Sequence, residues 1–523
     1  MKADGKKHRP FLFLDKNSLK MVVGKEDNSF TNKGLSEALM SEKVTLSGLT
    51  KDGKRDQFFY LCAMNRATVV INTKIGLLTE EKARRYAPVV AQVTAMGDDG
   101  TWRPDRVLKV EPKMIEIIGP EISELHVGRS SQDMHTTYRT AMLRDDVLEI
   151  HDVLNGLLET FTALAETHRG VVVPSYTNGV AAQPNSLSHY FLGVSESLIR
   201  ARDRLQELFN RANHSPMGST VLNGTGWPLD RRTMADYLGF DGPFINALDA
   251  VHGAPTDLPI EFAQVMQSIA LPIGILIQDI MIQYAQPRPW IILQEGGENT
   301  YASSAMPQKR NPGLMNSTRV LASSVCAGAV EMAFLMHNIS VGQGDARFVT
   351  NRAPIARDTV KLIGMCDRVL KALRISPERA LEELNNDWTA TQEVADRLMA
   401  NYGVPFRVGH HVASAMVGWA RANNVRPLEF PYEKMQEIFR DVTGKEWHEM
   451  ELPMSEAEFR DALDPHAIVE NRKTEGGPQA ASIESMLVTR RSQNETARAW
   501  CAKRVAQIDD ALARLEKDFS LFL

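Results

Sequence analysis

The sequence contains few cysteines and no excess of positive charge. Its four Cys, at positions 62, 326, 366 and 501, are scattered and form no CxxC pair. The sequence therefore suggests neither a disulfide framework nor a zinc site, and this cysteine usage fits a reducing cytoplasm. The formal net charge is -5, so no basic field favours a nucleic-acid partner.

Cofactor fingerprints and membrane segments are missing as well. The sequence has no Gly-rich dinucleotide motif and no constellation of metal ligands, so we expect no cofactor and no metal. The basic N-terminus is followed by only four apolar residues, FLFL, too few for the core of a signal peptide. The most apolar stretch, SIALPIGILIQDIMIQYA, carries Pro272, Gln278 and Asp279 and predicts a buried helix rather than a membrane span. We therefore expect a cytoplasmic protein with no membrane partner.

Helical periodicity dominates the sequence after residue 138. Between residues 139 and 170, apolar residues recur in a heptad seam, which needs another helix to cover it. The seam consists of Leu143, Val147, Ile150, Leu154, Leu157, Phe161 and Leu164. Segments near 188–212, 258–285 and 313–338 also predict long helices that are apolar on more than one side. Such helices imply a deep bundle, or a bundle shared between subunits.

The remaining signals divide the chain into regions. Strand signals are sparse, and ATVVINT, residues 67–73, fits a helix as well as a strand. A change of composition near LEELNNDWTA introduces shorter helices, separated by breaks such as NYGVPF and TEGGPQ. We predict a mainly α fold of three domains. These are a mixed, mostly helical N-terminal domain (1–130), a central bundle of long helices (131–385) and a small helical C-terminal domain (386–523).

Three polar segments interrupt the helical chain. They are ELHVGRSSQDMHTT, VPSYTNGVAAQP and YASSAMPQKRNPG. All three are rich in hydroxyl and amide groups, which bind anions together with Lys and backbone N–H groups, especially where a helix begins. They suggest a substrate with more than one carboxylate. The alternative is that their Ser, Thr and Asn residues only cap the helices that follow.

These segments resemble the motifs of a known enzyme superfamily. SSAMPQKRNP closely resembles the fumarase/aspartase signature GSSxMPxKxNP. HVGRSSQD and YTNGVAAQP resemble the HTGRSRND and YTHLQxAQP motifs of argininosuccinate lyases. NALDAV, DWTATQEVADRL, GVPFRVGHH and LDPHAIVENRKTEGGP also resemble that family, so the likeness covers nearly the whole chain.

The resemblance implies an architecture and a reaction. It implies a mostly helical homotetramer, in which central helices of four subunits form one bundle and each active site combines loops of three subunits. That assembly would account for the heptad seam and the excess of apolar helix surface. The implied reaction is a reversible β-elimination, in which an N–Cα or O–Cα bond of a succinyl group breaks and fumarate leaves.

The resemblance also implies roles for individual residues. Ser303 would take the proton from the carbon next to a carboxylate, and the resulting aci-carboxylate dianion has to be stabilised. A serine is a poor base unless cations or oriented amides favour its alkoxide, and Lys309 with the loop N–H groups could supply that field. The expected catalytic residues are therefore Ser303 and Lys309. The expected substrate-binding residues are Ser130, Ser131, Gln132, Thr177, Asn178, Gln183, Ser304, Met306 and Asn311.

Some of these residues have a second interpretation. Gln183 either binds substrate or braces its loop. His135 and His189 lie near the first two polar segments in sequence, and each is either structural or a proton-transfer residue.

Four departures from the argininosuccinate lyase pattern affect this reading. Asn178 replaces the His of YTH, and Asn316 replaces the acidic residue usually paired with it. Such an amide pair can hydrogen-bond but cannot transfer a proton near neutral pH. Ser131 and Gln132 replace the Arg and Asn of SRND. NISVGQGDARFVTN stands where that family has a YNKDLQEDK-type segment that grips the arginine end.

We therefore predict a fumarate-releasing carbon–nitrogen lyase that acts on an N-substituted aspartate or a similar succinyl compound. Two alternatives stay open: an argininosuccinate lyase with a rearranged acid, and a non-catalytic tetrameric relative with a structural or binding role. The intact Ser303, Lys309 and Asn311 argue against the non-catalytic alternative, because a scaffold does not need that loop. These motifs identify neither the leaving amine nor the residue that would protonate it.

Overall fold

The computed structural model describes residues 46–98, 100, 102–104, 106–342 and 352–523. All of these residues belong to one compact unit, Leu46–Leu523. The N-terminal FLFL segment lies outside the described residues. So do positions 343–351 of the stretch that stands in place of the arginine-gripping segment.

The described part of the N-terminal region is helical. Helices α1 (Gln57–Lys74), α2 (Glu80–Asp98) and α3 (Val107–Ile118) are followed by a 3-10 helix, Pro120–His126. Residues 58–72 of α1 are buried, the polar Asn65, Arg66 and Asn72 among them, so other elements surround this helix on all sides. The stretch ATVVINT lies inside α1, so it forms a helix and not a strand.

Five long helices form the central bundle. They are α4 (Ser131–Thr167), α5 (Leu187–Ala212), α7 (Ala254–Tyr284), α8 (Gly313–Met336) and α9 (Arg352–Ala372). A short helix, α6 (Arg231–Tyr237), and a π-helical turn, Asp249–Gly253, lie between α5 and α7. The helices predicted near 188–212, 258–285 and 313–338 are confirmed, with ends that differ by a few residues.

The heptad seam of α4 lies in the core. Its residues from Leu143 to Phe161 are buried, and Leu164 is half-buried. Helices α5 and α9 and the last helix of the chain pack against α4. Helices of the same chain therefore cover the seam, as a heptad pattern of apolar residues requires.

Shorter helices build the C-terminal region. They are α10 (Pro377–Asn386), α11 (Thr391–Tyr402), α12 (Phe406–Asn423), α13 (Tyr432–Glu446), α14 (Glu456–Leu463), α15 (Pro465–Glu470) and the long α16 (Ala480–Ser520). A separate hydrophobic cluster draws its buried residues from positions 388–468. Helix α16 instead contributes Leu487, Ile508 and Leu512 to the large cluster of the bundle. The division of the chain at residues 130 and 385 stays a prediction.

The few strands form three two-stranded sheets in the described part of the chain. β1 (Val172–Thr177) pairs with β2 (Val180–Ser186), β3 (Ile291–Leu293) with β6 (Leu373–Ile375), and β4 (Tyr301–Ala302) with β5 (Arg310–Asn311), all antiparallel. The second and third polar segments, which we expected to be loops, are thus β-hairpins. Sequence periodicity misses them because strands of two to seven residues are too short to show a clear alternation.

Two long helices carry apolar surface that one chain does not bury. The stretches Asp249–Tyr284 and Gly313–Met336 are long and apolar enough to cross a membrane by length and composition, and 44% and 28% of their most apolar windows are buried. Helix α7 exposes Leu271 and Ile275, and α8 exposes Val320 and Phe334. The stretch SIALPIGILIQDIMIQYA is therefore only partly the buried helix that we predicted. Exposed apolar surface of this kind is typical of an interaction site.

A histidine in the core makes the stability of the fold depend on pH. His151 on α4 is fully buried, and the Nε2 of Gln206 lies 3.1 Å from its Nε2, while its Nδ1 has no hydrogen-bond partner. Burial, and then the nearby Arg202, lowers the pKa of His151 from 6.5 to about 3. The unfolded chain therefore takes up this proton at a higher pH than the folded protein does.

We predict that the protein loses stability as the pH falls from 6.5 toward about 3, by at most about 1.4 kcal/mol per pH unit from this residue. The sign follows because the pKa of His151 is lower in the folded protein than in the unfolded chain. The resulting stability is fully present above the pKa of the unfolded chain and is lost as the pH falls below that pKa. A His151→Phe variant should show a shallower decline of its unfolding temperature over this range. A variant of the exposed His466, His466→Phe, serves as the control. Equal slopes for His151→Phe and the wild type would contradict the prediction.

Candidate active site

The third polar segment forms a short hairpin in front of α8. Strands β4 and β5 pair antiparallel, and residues 303–309 form the loop between them. Ser303 is half-buried, whereas residues 304–310 are exposed. Ser304 and Met306, two of the expected substrate-binding residues, therefore face solvent in one chain.

The hydroxyl of Ser303 is turned back into its own loop. Its Oγ accepts hydrogen bonds from the backbone N–H groups of Ala305 at 3.3 Å and Met306 at 3.2 Å. The N–H of Ser303 in turn donates to the carbonyl of Lys309 at 3.3 Å. Two N–H dipoles directed at one oxygen favour negative charge on it, which is the property that a serine base requires.

The two cations of this loop differ in their surroundings. The Nε of Arg310 lies 3.2 Å from a carboxylate oxygen of Glu295, and its Nη1 donates to the carbonyl of Pro307 at 2.7 Å. Arg310 therefore shapes the loop. The exposed Lys309 makes no ion pair with any described residue, so its charge stays available for an anion.

Close packing fixes the end of the loop against the start of α8. A Cβ at Gly313 would lie 2.9 Å from the ring of Tyr301, so a side chain at this position would displace the ring. The Nδ2 of Asn311 donates to the carbonyl of Tyr301 at 3.4 Å. Asn311 is thus close to the N-terminal N–H groups of α8, where an anion is favoured.

The second polar segment is the tip of the β1–β2 hairpin. Asn178 and Gly179 have φ values of 52° and 78°, as in a two-residue type I′ turn, for which Asn-Gly is the preferred pair. Thr177 and Asn178 are both exposed. The replacement of His by Asn at position 178 therefore also suits the backbone of the turn. Within one chain, Asn178 forms no hydrogen bond with the half-buried Asn316.

Two residues near this hairpin have structural partners. The Nε2 of Gln183 donates to Oε1 of Gln392 on α11 at 2.6 Å, so Gln183 braces the hairpin against the C-terminal region. The Nε2 of His189 lies 2.9 Å from the carbonyl oxygen of Gly476, which ties α5 to the segment before α16. In one chain these contacts favour the structural interpretation of Gln183 and His189.

The first polar segment becomes the N-terminus of α4. Ser130 caps the helix, since its Oγ accepts from the N–H of Gln132 at 3.3 Å and Asp133 completes a capping box. Ser131 is the first residue of the helix and is half-buried. The side-chain Nε2 of Gln132 donates to the carbonyl of Val251 in the π-helical turn at 3.2 Å. The capping alternative thus holds for Ser130.

A fourth polar loop, which the sequence motifs did not reveal, joins this end of the bundle. Residues 218–226, GSTVLNGTG, are held by the buried carboxylate of Asp133. Its Oδ2 accepts from the N–H groups of Gly218 and Thr220, both at 3.0 Å, and its Oδ1 accepts from the N–H of Ser130 at 2.9 Å. Burial raises the pKa of Asp133 to about 6, against the opposing effect of these N–H groups. The cluster of Gly, Thr and Asn between two helices was the available signal.

The expected site residues lie at two ends of one chain. Helix α4 has 37 residues, which at about 1.5 Å per residue span roughly 55 Å between Ser131 and Thr167. Ser130, Ser131 and Gln132 lie at its start, and the β1–β2 hairpin follows its end. The segment that leads to Ser303 meets this hairpin, because the Nε1 of Trp290 donates to the hydroxyl of Tyr176 at 3.0 Å. One chain therefore does not bring the three polar segments together.

Metal ligands do not converge in the described part of the chain. No three His, Cys, Asp or Glu residues among these positions are placed to hold a metal ion. His135 lies on α4 with its ring 5.7 Å from that of Tyr138. The donors of the candidate site are thus hydroxyls, amides, backbone N–H groups and one Lys, a set that suits carboxylates.

Comparisons with known proteins agree with this chemistry. A family model described as lyase matches residues 28–327, and the argininosuccinate lyase C-terminal model matches residues 387–470. The argininosuccinate lyase of Synechococcus sp. (strain CC9605) is 28% identical over 423 residues, 79% of this chain and 85% of that protein. The argininosuccinate lyase of Methanosarcina acetivorans is 24% identical over 498 residues, 93% of this chain and 98% of that protein.

Solved structures show the same overall arrangement of helices. EDDS lyase in complex with formate superposes with a TM-score of 0.81 and 26% identity, over 89% of this chain and 92% of that one. Class II fumarase from Schistosoma mansoni superposes with a TM-score of 0.58 and 15% identity, over 78% of this chain and 90% of that one. The second likeness shows the shared fold alone.

We predict that Asp133→Asn loosens the loop of residues 218–226. An amide has a single acceptor oxygen, so the N–H groups on one side of Asp133 lose their partner, at a cost of about 1–3 kcal/mol. Hydrogen exchange measured by mass spectrometry should accelerate in peptides that cover residues 215–226. Asp230→Asn is the matched control, because Asp230 caps α6 through Thr233 and Asn caps a helix equally well. Unchanged exchange in Asp133→Asn would disprove the role of this carboxylate.

Proposed function

This chain belongs to the lyase family, in the fumarase/aspartase superfamily and among the argininosuccinate lyase-like members, and on that basis we propose that it releases fumarate from an N-substituted aspartate. The membership makes it a fumarate-releasing carbon–nitrogen lyase. The proposal concerns the substrate, the base and the assembly. The main support for the proposal is the Ser303 loop, in which two backbone N–H groups donate to the serine oxygen.

In the proposed mechanism Ser303 acts as the general base. Its alkoxide takes a proton from the carbon next to one carboxylate of the succinyl group, and the electron pair of the C–H bond moves into that carboxylate. The resulting aci-carboxylate then returns its electrons to form the C=C bond of fumarate. The bond between the neighbouring carbon and nitrogen breaks, and its electron pair leaves with the amine. Each step conserves atoms and charge without a cofactor.

The negative charge that builds up needs a field of donors. The N–H groups of Ala305 and Met306 favour the alkoxide form of Ser303 before proton transfer. Lys309, which has no ion-pair partner among the described residues, would stabilise the aci-carboxylate. The substrate carboxylates would bind to Ser131, Gln132, Thr177, Ser304, Met306 and Asn311, with Ser130, Asn178 and Gln183 next to them.

The leaving group follows from what the chain does not offer. With amides at Asn178 and Asn316, neither position can supply a proton to the departing nitrogen near neutral pH. An amine that is already protonated in the substrate needs no such acid. The guanidinium of argininosuccinate is likewise protonated near neutral pH, so the preference for an N-substituted aspartate other than argininosuccinate rests on NISVGQGDARFVTN, the segment that stands in place of the arginine-gripping one.

We further propose a homotetramer with shared active sites. A site that combines Ser131, Thr177 and Ser303 has to draw them from more than one chain, because α4 separates the first from the other two by its whole length. The uncovered apolar faces of α7 and α8 supply surface for a bundle of several subunits. The family resemblance and the geometry of one chain thus favour the same assembly.

The proposed location is the cytoplasm. All four Cys are free thiols, and burial raises the pKa of Cys62 to about 11 and of Cys501 to about 12. Thiols of this kind neither cross-link the fold nor react readily. A free-thiol protein suits a reducing compartment.

We predict that Ser303→Ala abolishes fumarate release, because the variant lacks the base. The wild type and the variant should be assayed by fumarate absorbance against a panel of N-substituted aspartates that includes argininosuccinate. The wild type should release fumarate from members with an alkylamine leaving group and cleave argininosuccinate poorly. Gln308→Ala, at an exposed position of the same loop, should keep its activity and serves as the control.

The same assay separates the alternatives. Efficient arginine formation from argininosuccinate, with no other member of the panel cleaved, would identify an argininosuccinate lyase with a rearranged acid. A wild type that releases no fumarate from any member, like Ser303→Ala, would identify a non-catalytic relative. Either result would overturn the proposed substrate class.

We predict that two inactive variants restore activity when they are mixed. Ser303→Ala removes the base, and Gln132→Ala removes a donor at the other end of the same chain. After unfolding and joint refolding, a fraction of the shared sites contains neither substitution and should release fumarate. Activity in the mixture no higher than in the separate variants, or a monomeric mass by light scattering, would contradict the shared site.

A further inference from the structure

A phenol next to the hairpin tip joins three parts of the chain. Tyr176 directly precedes Thr177, and its hydroxyl donates to Oε1 of Glu383 on α10 at 2.5 Å. The same hydroxyl oxygen accepts from the indole Nε1 of Trp290 at 3.0 Å. Burial, and then the hydrogen bond to Glu383, raises the pKa of Tyr176, so the phenol remains protonated and acts as the donor to the carboxylate.

The two partners of the phenol are held by neighbouring elements. Trp290 is buried and precedes β3, and its carbonyl accepts from the N–H of Ser376 at 2.8 Å, just before α10. Glu383 lies in the middle of α10, which packs on β1. The indole and the carboxylate are therefore fixed relative to each other. Their hydrogen bonds to Tyr176 set the position of the hairpin.

A local irregularity of the hairpin lies opposite the phenol. The register of β1 and β2 shifts between Ser175 and Tyr176, so that Ser175 faces Gln183 while Tyr176 faces Ala181. The extra residue is Ala182 of β2, so the bulge bends β2 opposite Tyr176 and interrupts the ladder there. Beyond the bulge only two pairs, Tyr176–Ala181 and Thr177–Val180, remain before the turn, so the position of the tip depends on how Tyr176 is held.

We infer that Tyr176 and Glu383 are positioning residues, which hold the hairpin tip where Thr177 can donate to a substrate carboxylate. The inference rests on the proposed function, because it assigns a purpose to the position of Thr177. Neither residue touches the substrate. Their loss weakens carboxylate binding, since a donor displaced by about 1 Å no longer meets the geometry of a hydrogen bond.

The test is a steady-state comparison with a substrate that the wild type cleaves. Tyr176→Phe keeps the ring but removes the hydroxyl, and Glu383→Ala removes the acceptor. Each should raise KM about tenfold, equivalent to roughly 1.4 kcal/mol, with kcat within about twofold of the wild type. Glu383→Gln keeps an acceptor oxygen for the phenol and should restore KM.

A matched control comes from the C-terminal cluster. Tyr402 donates to Oε1 of Glu458 at 2.6 Å, a phenol–carboxylate pair away from the hairpin, so Tyr402→Phe should change the unfolding temperature and not KM. Three results would overturn the positioning role alone. They are an unchanged KM in Tyr176→Phe, a fall in kcat as large as the rise in KM, and a KM in Glu383→Gln that stays as high as in Glu383→Ala. A wild type without fumarate release would overturn the proposed function, and the positioning role with it.

Discussion

One unbroken helix sets the form of the candidate site. Helix α4 runs for 37 residues between the first and second polar segments, and a helix of that length is a rigid spacer. The donors at its start and the hairpin beyond its end cannot meet in one chain. The apolar faces of α7 and α8 run along the same bundle. The long helix between these segments and the exposed apolar helices beside it both favour the proposed association of subunits.

The second constraint is electrostatic. A serine oxygen becomes a base only where negative charge on it is favoured, and the loop places the N–H groups of Ala305 and Met306 on Oγ of Ser303. These dipoles are part of the backbone, so they need no rearrangement when the proton moves. The amides at Asn178 and Asn316 offer no comparable group for the departing nitrogen. The candidate site therefore has donors that bind carboxylates and stabilise negative charge on the fumarate half of the substrate. It has few groups that could assist the departing amine.

Several features could be predicted from the sequence, and others could not. The long helices and the seam from Leu143 to Phe161 follow from periodicity, because burial on one face requires it. That Ser130 caps α4 is visible only in the structure, where its Oγ accepts from the N–H of Gln132 and Asp133 completes a capping box. The loop held by Asp133 escaped notice because its partners, Gly218 and Thr220, are more than 80 residues away in sequence. Residue type alone does not reveal such a distant hydrogen bond.

The helical class, the lyase family and the loop that carries Ser303 can all be inferred from the sequence, since they depend on local periodicity and on a long, irregular motif. Where those residues lie in space follows only from the folded structure. It placed Ser131 and Thr177 at opposite ends of a bundle, turned Asn178 into a turn residue with positive φ, and joined Tyr176 to Glu383 across 207 positions. The physical reason is that hydrogen bonds and helix packing act between residues close in space, whereas sequence patterns record only neighbours along the chain.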